Sequence, residues 1–117
     1  EEANKALRLS TLDPTAYLAL QGISIANLVM DRFDEAAVAS RKTIDANPRF
    51  PMGYAWAIIV ECGRGDKAKA EALLDQLLAS MPGFKREALP SLLSFFPAAI
   101  QDKSLALMRS QGIVPSP

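Results

Sequence analysis

The stretch "TIDANPRFPMGY", residues 43 to 54, returns 34 positions later in altered spelling as "LLASMPGFKREA", residues 77 to 88. Each closes a helix-patterned run on a proline, Pro48 and Pro82, and Pro14 stands a further 34 positions upstream. Proline ends a helix at such places because it lacks an N–H donor and pushes its predecessor out of the α region. The same shift of 34 lays Ala36 on Ala70 and Phe50 on Phe84. A unit of that length is the size of one helix hairpin.

Working outward, each unit has helical periodicity. "YLALQGISIANLV", residues 17 to 29, sets Leu20, Ile23 and Leu28 along one face, "MDRFDE" breaks the run, and "EAAVASRKTIDA", residues 35 to 46, resumes it. Asp34 and Glu35 suit the positive end of that second helix. The next unit predicts a helix over 51–63, a turn from Gly63 to Asp66 and a helix over 67–80. Upstream, "EEANKALRL" (1–9) has the pattern of a hairpin's second helix and "STLDP" (10–14) that of the following turn. Downstream, Pro90 is expected to start a short helix and Gly112 to end the last one, for six or seven helices in all.

The chain of 117 residues suits one domain with a modest core. Thirteen acidic residues balance thirteen basic ones, and no basic face appears, which argues against a nucleic-acid surface. The longest nearly apolar run, "AYLALQGISIANLVM" at 16–30, contains Gln21 and Asn27 and falls short of the ~18 residues a spanning helix needs. No transmembrane segment is expected. The single cysteine, Cys62, cannot form an internal disulfide, and a cytoplasmic setting fits. Opening on Glu1-Glu2 in helical pattern, without an initiator Met, the chain reads as a piece of a larger protein.

Chemistry is sparse. The absence of histidine removes the usual general base and the commonest metal ligand. Cys62, among apolar neighbours, reads as a small core or groove residue, Asp34 with Glu35 as a helix start, and Glu71 with Asp75 as an i,i+4 pair on a solvated face. "GRG" is no phosphate loop, since it lacks the Lys-Ser/Thr signature. These readings predict no enzymatic activity, no cofactor and no metal. Arg64-Gly65-Asp66 spells an adhesion tripeptide, but each letter has a local reason: a base at a helix C-terminus, a turn glycine and an N-cap.

Period and hairpins together resemble the tetratricopeptide repeat (TPR) family, with repeats at 17–50 and 51–84, residues 1–13 as the second helix of a preceding repeat, and 85–117 as C-terminal capping helices. The family's small second-helix residue falls on Ala36 and Ala70, its closing proline on Pro48 and Pro82, and its aromatic on Phe33, with Lys67 in that place in the second repeat. First-helix signature positions hold Leu20, Ile23, Ser24 and Asn27, then Tyr54, Ala57, Ile58 and Glu61, which depart from the family pattern. The resemblance implies an all-α, right-handed superhelix of stacked antiparallel hairpins. "LRLSTLDP", "MPGF" and "SFFPAAIQDKSLALMRSQGIVP" are further similar to the C-terminal TPR region of bacterial class III adenylate/guanylate cyclase-type proteins.

By that analogy a ligand groove would use Leu18, Gln21, Ile25 and Leu28 in the first repeat, and Met52, Ala55, Trp56 and Ile59 in the second. The positions where carboxylate-gripping repeats present Lys and Asn here hold Gln21, Ile25, Ala55 and Ile59, so an apolar occupant is expected. Independently, helix 51–63 is apolar on its core stripe (Tyr54, Ala57, Ile58) and on the opposite stripe (Met52, Trp56, Ile59). A helix apolar all round is normally buried all round. Three covers are open: the chain's own tail through Leu92, Leu93, Phe95, Phe96, Leu105 and Met108; a second copy in a homodimer; or a foreign apolar segment. The function expected is a non-enzymatic protein-interaction module that binds a protein or peptide partner or itself. The alternatives are a regulatory tail of a nucleotide cyclase or a purely structural capping array.

Overall fold

In the computed structural model, residues 15 to 115 are described. The helix expected over 1–9 and the turn at 10–14 lie outside them. Every regular element among the described residues is helical: α1 (Ala16–Val29), α2 (Phe33–Ala46), α3 (Pro51–Gly63), α4 (Lys67–Ser80), a 3-10 helix (Arg86–Leu93) and α5 (Ala98–Ser110).

The two hairpins are made by one turn used twice. After α1, Asp31 adopts φ 60° while its N–H bonds Leu28 O and that of Arg32 bonds Asn27 O. After α3, Gly65 adopts φ 77°, with Gly65 N–H to Cys62 O and Asp66 N–H to Glu61 O. This is the Schellman closure, which satisfies terminal carbonyls through one left-handed residue. Asp31 and Gly65 are 34 positions apart. A third copy ends α5 at Gly112, φ 69°, as the sequence leads one to expect.

The same turn accounts for the adhesion tripeptide. Gly65 holds the left-handed position, and Asp66 caps α4 by accepting from Lys69 N–H at 3.0 Å. Arg64 donates to Asp34 of α2 at 3.1 Å and to both carboxylate oxygens of Glu61 at 3.2 Å. Both charged members are engaged by the fold.

α1 packs along α2, and α3 along α4. α2 then abuts α3, which also meets α1, α5 and the 3-10 helix, so it touches every other helix described. From Ala55 to Cys62 its residues are buried without a break. Close approach has a local cause at Gly63, where a Cβ would lie 2.5 Å from the Phe33 ring. Between α1 and α2 the seam is polar: Ser24 Oγ donates to Ala36 O at 3.1 Å, leaving Ser40 Oγ to donate to Ser24 Oγ at 2.6 Å.

Three expectations are corrected. Ile23, set on the core face with Leu20 and Leu28, is exposed, because the inward line of α1 runs Ala16, Leu20, Ser24, Leu28, one residue in four. Pro90 lies inside the 3-10 helix, which starts at Arg86. Glu71 is not simply solvated: its carboxylate takes two bonds from Arg86, at 2.7 and 3.2 Å, fixing the segment after α4 back onto α4.

Candidate functional site

The residues expected to line a groove separate into two groups. In α3, Ala55, Trp56 and Ile59 are buried and Met52 is half-buried, all within the main apolar cluster. The chain's own tail packs on Trp56, as in the first of the three covers left open by the sequence. Phe96 meets the Trp56 ring edge-on with centroids 5.0 Å apart, a favourable quadrupole arrangement. Leu93 and Met108 are fully buried in the same cluster, with Leu92 and Leu105 packed against it. Phe95 departs from the expectation and is 96% exposed. Lys103 carries α5 across to the end of α1, where its ammonium bonds Asp31 and Val29 O.

In α1 the four expected residues diverge. Leu28 is buried, Ile25 and Gln21 are half-buried, and Leu18 is exposed. Around Leu18 the structure shows a face that the sequence reading did not single out. Every exposed residue of α1 is apolar or glycine: Leu18, Ala19, Gly22, Ile23, Ala26 and Val29, with Met30 continuing the strip. Leu18 is 50%, Ile23 42%, Val29 46% and Met30 53% exposed. No other helical outer face described here is free of polar residues. α2 presents Asp34, Glu35, Arg41, Lys42 and Asp45 around a lone Val38; α4 presents Lys69, Asp75 and Gln76; and α5 presents Asp102. The signal available in the sequence is the lack of any charge between residues 16 and 30.

Electrostatics elsewhere serve the fold. Glu61 is buried with Arg64 as its counter-ion, and Glu61 chiefly raises the Arg64 pKa. The Arg86 hydrogen bond lowers the Glu71 pKa below its ordinary value, while Glu71 raises that of Arg86. Burial, helped by Glu61 and Glu71, pushes the Cys62 thiol up to about 12, so at neutral pH it is a protonated core thiol rather than a nucleophile.

Two concavities lie among the described residues, one small and one open. A space of about 60 Å³ between α2, α3 and α4, beside Ser40 and Glu61, has room for about two waters. A shallow depression at the α1–α2 turn is lined by Asp31 to Glu35 and Arg64. Among the described residues no group of three or more His, Cys, Asp or Glu is placed to hold a metal ion. Nor is any helix among them long and apolar enough to cross a membrane. No family model, no curated protein and no solved structure matches the chain.

Proposed function

We propose that this chain is a non-enzymatic protein-interaction module, built as a TPR-like stack of helix hairpins, whose binding surface is the outer face of α1. The observation that carries the reading is the unbroken apolar strip from Leu18 to Met30 on a helix without charge. Contiguous exposed apolar surface on a small domain marks a docking site, whereas scattered apolar residues do not. Covering a half-exposed Leu, Ile, Val or Met releases about half of the 1.5 to 3 kcal/mol of full burial, roughly 1 kcal/mol each. The fold also supplies a precedent for the kind of occupant: Trp56 of α3 stands 34 positions after Gly22, and its face is covered by a helical tail.

The test asks whether the strip serves folding or binding. Leu18→Lys and Ile23→Lys, made singly and unfolded by urea in dilute solution, are expected to change stability by no more than about 0.5 kcal/mol. Losses in the range of about 2–5 kcal/mol, typical of core truncations, would assign these side chains to the chain's own interior and end the proposal.

A further inference from the structure

Buried polar side chains sort the seams of this molecule into two kinds. Among the described residues, the buried polar or charged ones are Ser24, Ser40, Thr43, Glu61 and Ser104. All but the last are hydrogen-bonded: Ser24 and Ser40 to each other across the α1–α2 seam, Thr43 Oγ1 to Ala39 O at 2.8 Å within α2, and Glu61 to Arg64. Ser104, fully enclosed on α5, has no partner for its hydroxyl. Nor has the indole N–H of Trp56, the α3 residue on which Phe96 of the tail seats, nor Nε of Arg109 in the last turn of α5. The remaining atom of this kind, Gln21 Oε1, belongs to the half-buried side of α1. A polar group that leaves water without finding a partner opposes the contact that buries it. That opposition is concentrated where the tail meets α3.

The tail has few neighbours with which to offset it. α5 packs chiefly on α3, whereas α3 is packed by every other helix described. The polar ties of the tail are peripheral and made by partly exposed side chains: Lys103 reaches Asp31 and Val29 O, and Arg86 reaches Ile113 O at 3.3 Å. Its apolar hold is Phe96 on Trp56, with Met108, Ile113 and Val114 in the main cluster. The chain enters α5 from the 3-10 helix through the non-helical residues 94 to 97, where Phe95 faces solvent. Gln101 Nε2 donates back to Phe96 O at 2.6 Å, so Phe96 moves with α5.

We infer that the tail from Phe96 to Val114 is a lid, which opens from α3 as one unit while α1 to α4 stay folded and bares a second apolar face around Trp56. The contrast in polar satisfaction is the cause. Closing the α1–α2 seam forms buried hydrogen bonds, and opening it would leave hydroxyls and a carbonyl to find new partners. Closing the tail forms none at Ser104 or at the Trp56 indole, and opening it returns the Ser104 hydroxyl to water. Local opening follows the segment with the least to lose. The inference stands apart from the α1 strip, since it concerns a different helix and a covered face.

Native-state hydrogen exchange of the full chain, followed amide by amide by NMR, tests the lid. The α5 amides from Asp102 to Arg109 should share one protection factor, about tenfold or more below that of α3 from Ala57 to Glu61. Ser104→Ala removes the unpartnered hydroxyl and should raise α5 protection by about fivefold or more while leaving α2 unchanged. Ala106→Ser, at an exposed site of the same helix, controls for helix propensity and should lower α5 protection only about twofold. α5 protected as strongly as α3 overturns the inference, because the tail would then open only with the whole fold. So does a Ser104→Ala effect no larger than the control's, or a loss of protection, because the hydroxyl would then have a partner in the closed seam.

Discussion

α1 and α3 occupy the same place in successive 34-residue units and end in the same left-handed closure, yet one is surrounded and the other is half bare. α3 buries Ala55 to Cys62 in succession, and α1 buries every fourth residue. Composition does not separate them. Neither begins with an acid or ends with a base in its own span, and α1 has no charged residue at all. What separates them is what packs against them among the described residues. α3 has α2 on one side, where Thr43 lies 3.4 Å from a Cβ built on Gly53, and the tail on the other, where Phe96 seats on Trp56. For α1 the positions 34 earlier, Ala19 and Gly22, are open. An apolar helix packed on both sides finds its cover in its neighbours, whereas one with an exposed apolar side leaves a surface that can recruit a partner.

The comparison breaks most visibly at Trp56. Trp56→Ala should cost about 3–5 kcal/mol in urea unfolding, because it empties the seam between α3 and the tail. Its counterpart on α1, Gly22→Ala, has nothing within 4 Å to meet and should stabilise by up to about 1 kcal/mol through helix propensity. Equal small effects at both positions would mean that the tail does not hold α3. The next pair in the 34-residue register is Gly63 and Val29. Gly63→Ala drives a methyl into the Phe33 ring at 2.5 Å and should cost about 1–3 kcal/mol, while Val29→Ala on the exposed side should stay within about 0.5 kcal/mol.

Much of the α3 environment was legible in the sequence, and little of the α1 face was. The prolines, the turn residues and the all-round apolarity of 51–63 each point to one physical cause, so the bounds of α3 and the need for Trp56 to be covered followed from them, while the choice of the tail as that cover did not. Ile23 did not, because on an uncharged helix no polar residue marks the outward side and the periodicity does not fix which stripe faces in. Ser24 decided it: its hydroxyl finds Ser40 and Ala36 O across the seam, and that partnership cannot be read from one segment alone. The Arg86–Glu71 bridge was hidden for the same reason, since it joins residues 15 apart across a turn of irregular geometry.

A smaller effect sharpens how the tail is fixed. The folded pKa of Glu71 is depressed by Arg86, so this pair contributes fully above the unfolded carboxylate value and is lost as pH falls through the lower folded one. Because both side chains are about a third exposed, the contribution is below about 1 kcal/mol. Glu71→Gln should therefore flatten the acid limb of a stability–pH profile, costing up to about 1 kcal/mol at neutral and alkaline pH and little at the lowest pH. A last effect, confined to alkaline pH, concerns Cys62. With its thiol pushed up to about 12, the folded protein keeps the proton that the unfolded chain loses above about 8.5, so stability should drift downward through that interval. Cys62→Ser should remove most of that drift, and a thiol-specific reagent at pH 8 should label Cys62 only on unfolding.

Hydroxyl-radical footprinting of the full chain reads the contrast between the two helices side chain by side chain. Met30 and Leu18 of the α1 strip, like Phe95, should be modified readily, while Met108 and Trp56 in the seam of α3 with the tail stay protected. Met30 and Leu18 protected in the free chain, or Trp56 reacting as readily as they do, would contradict the account.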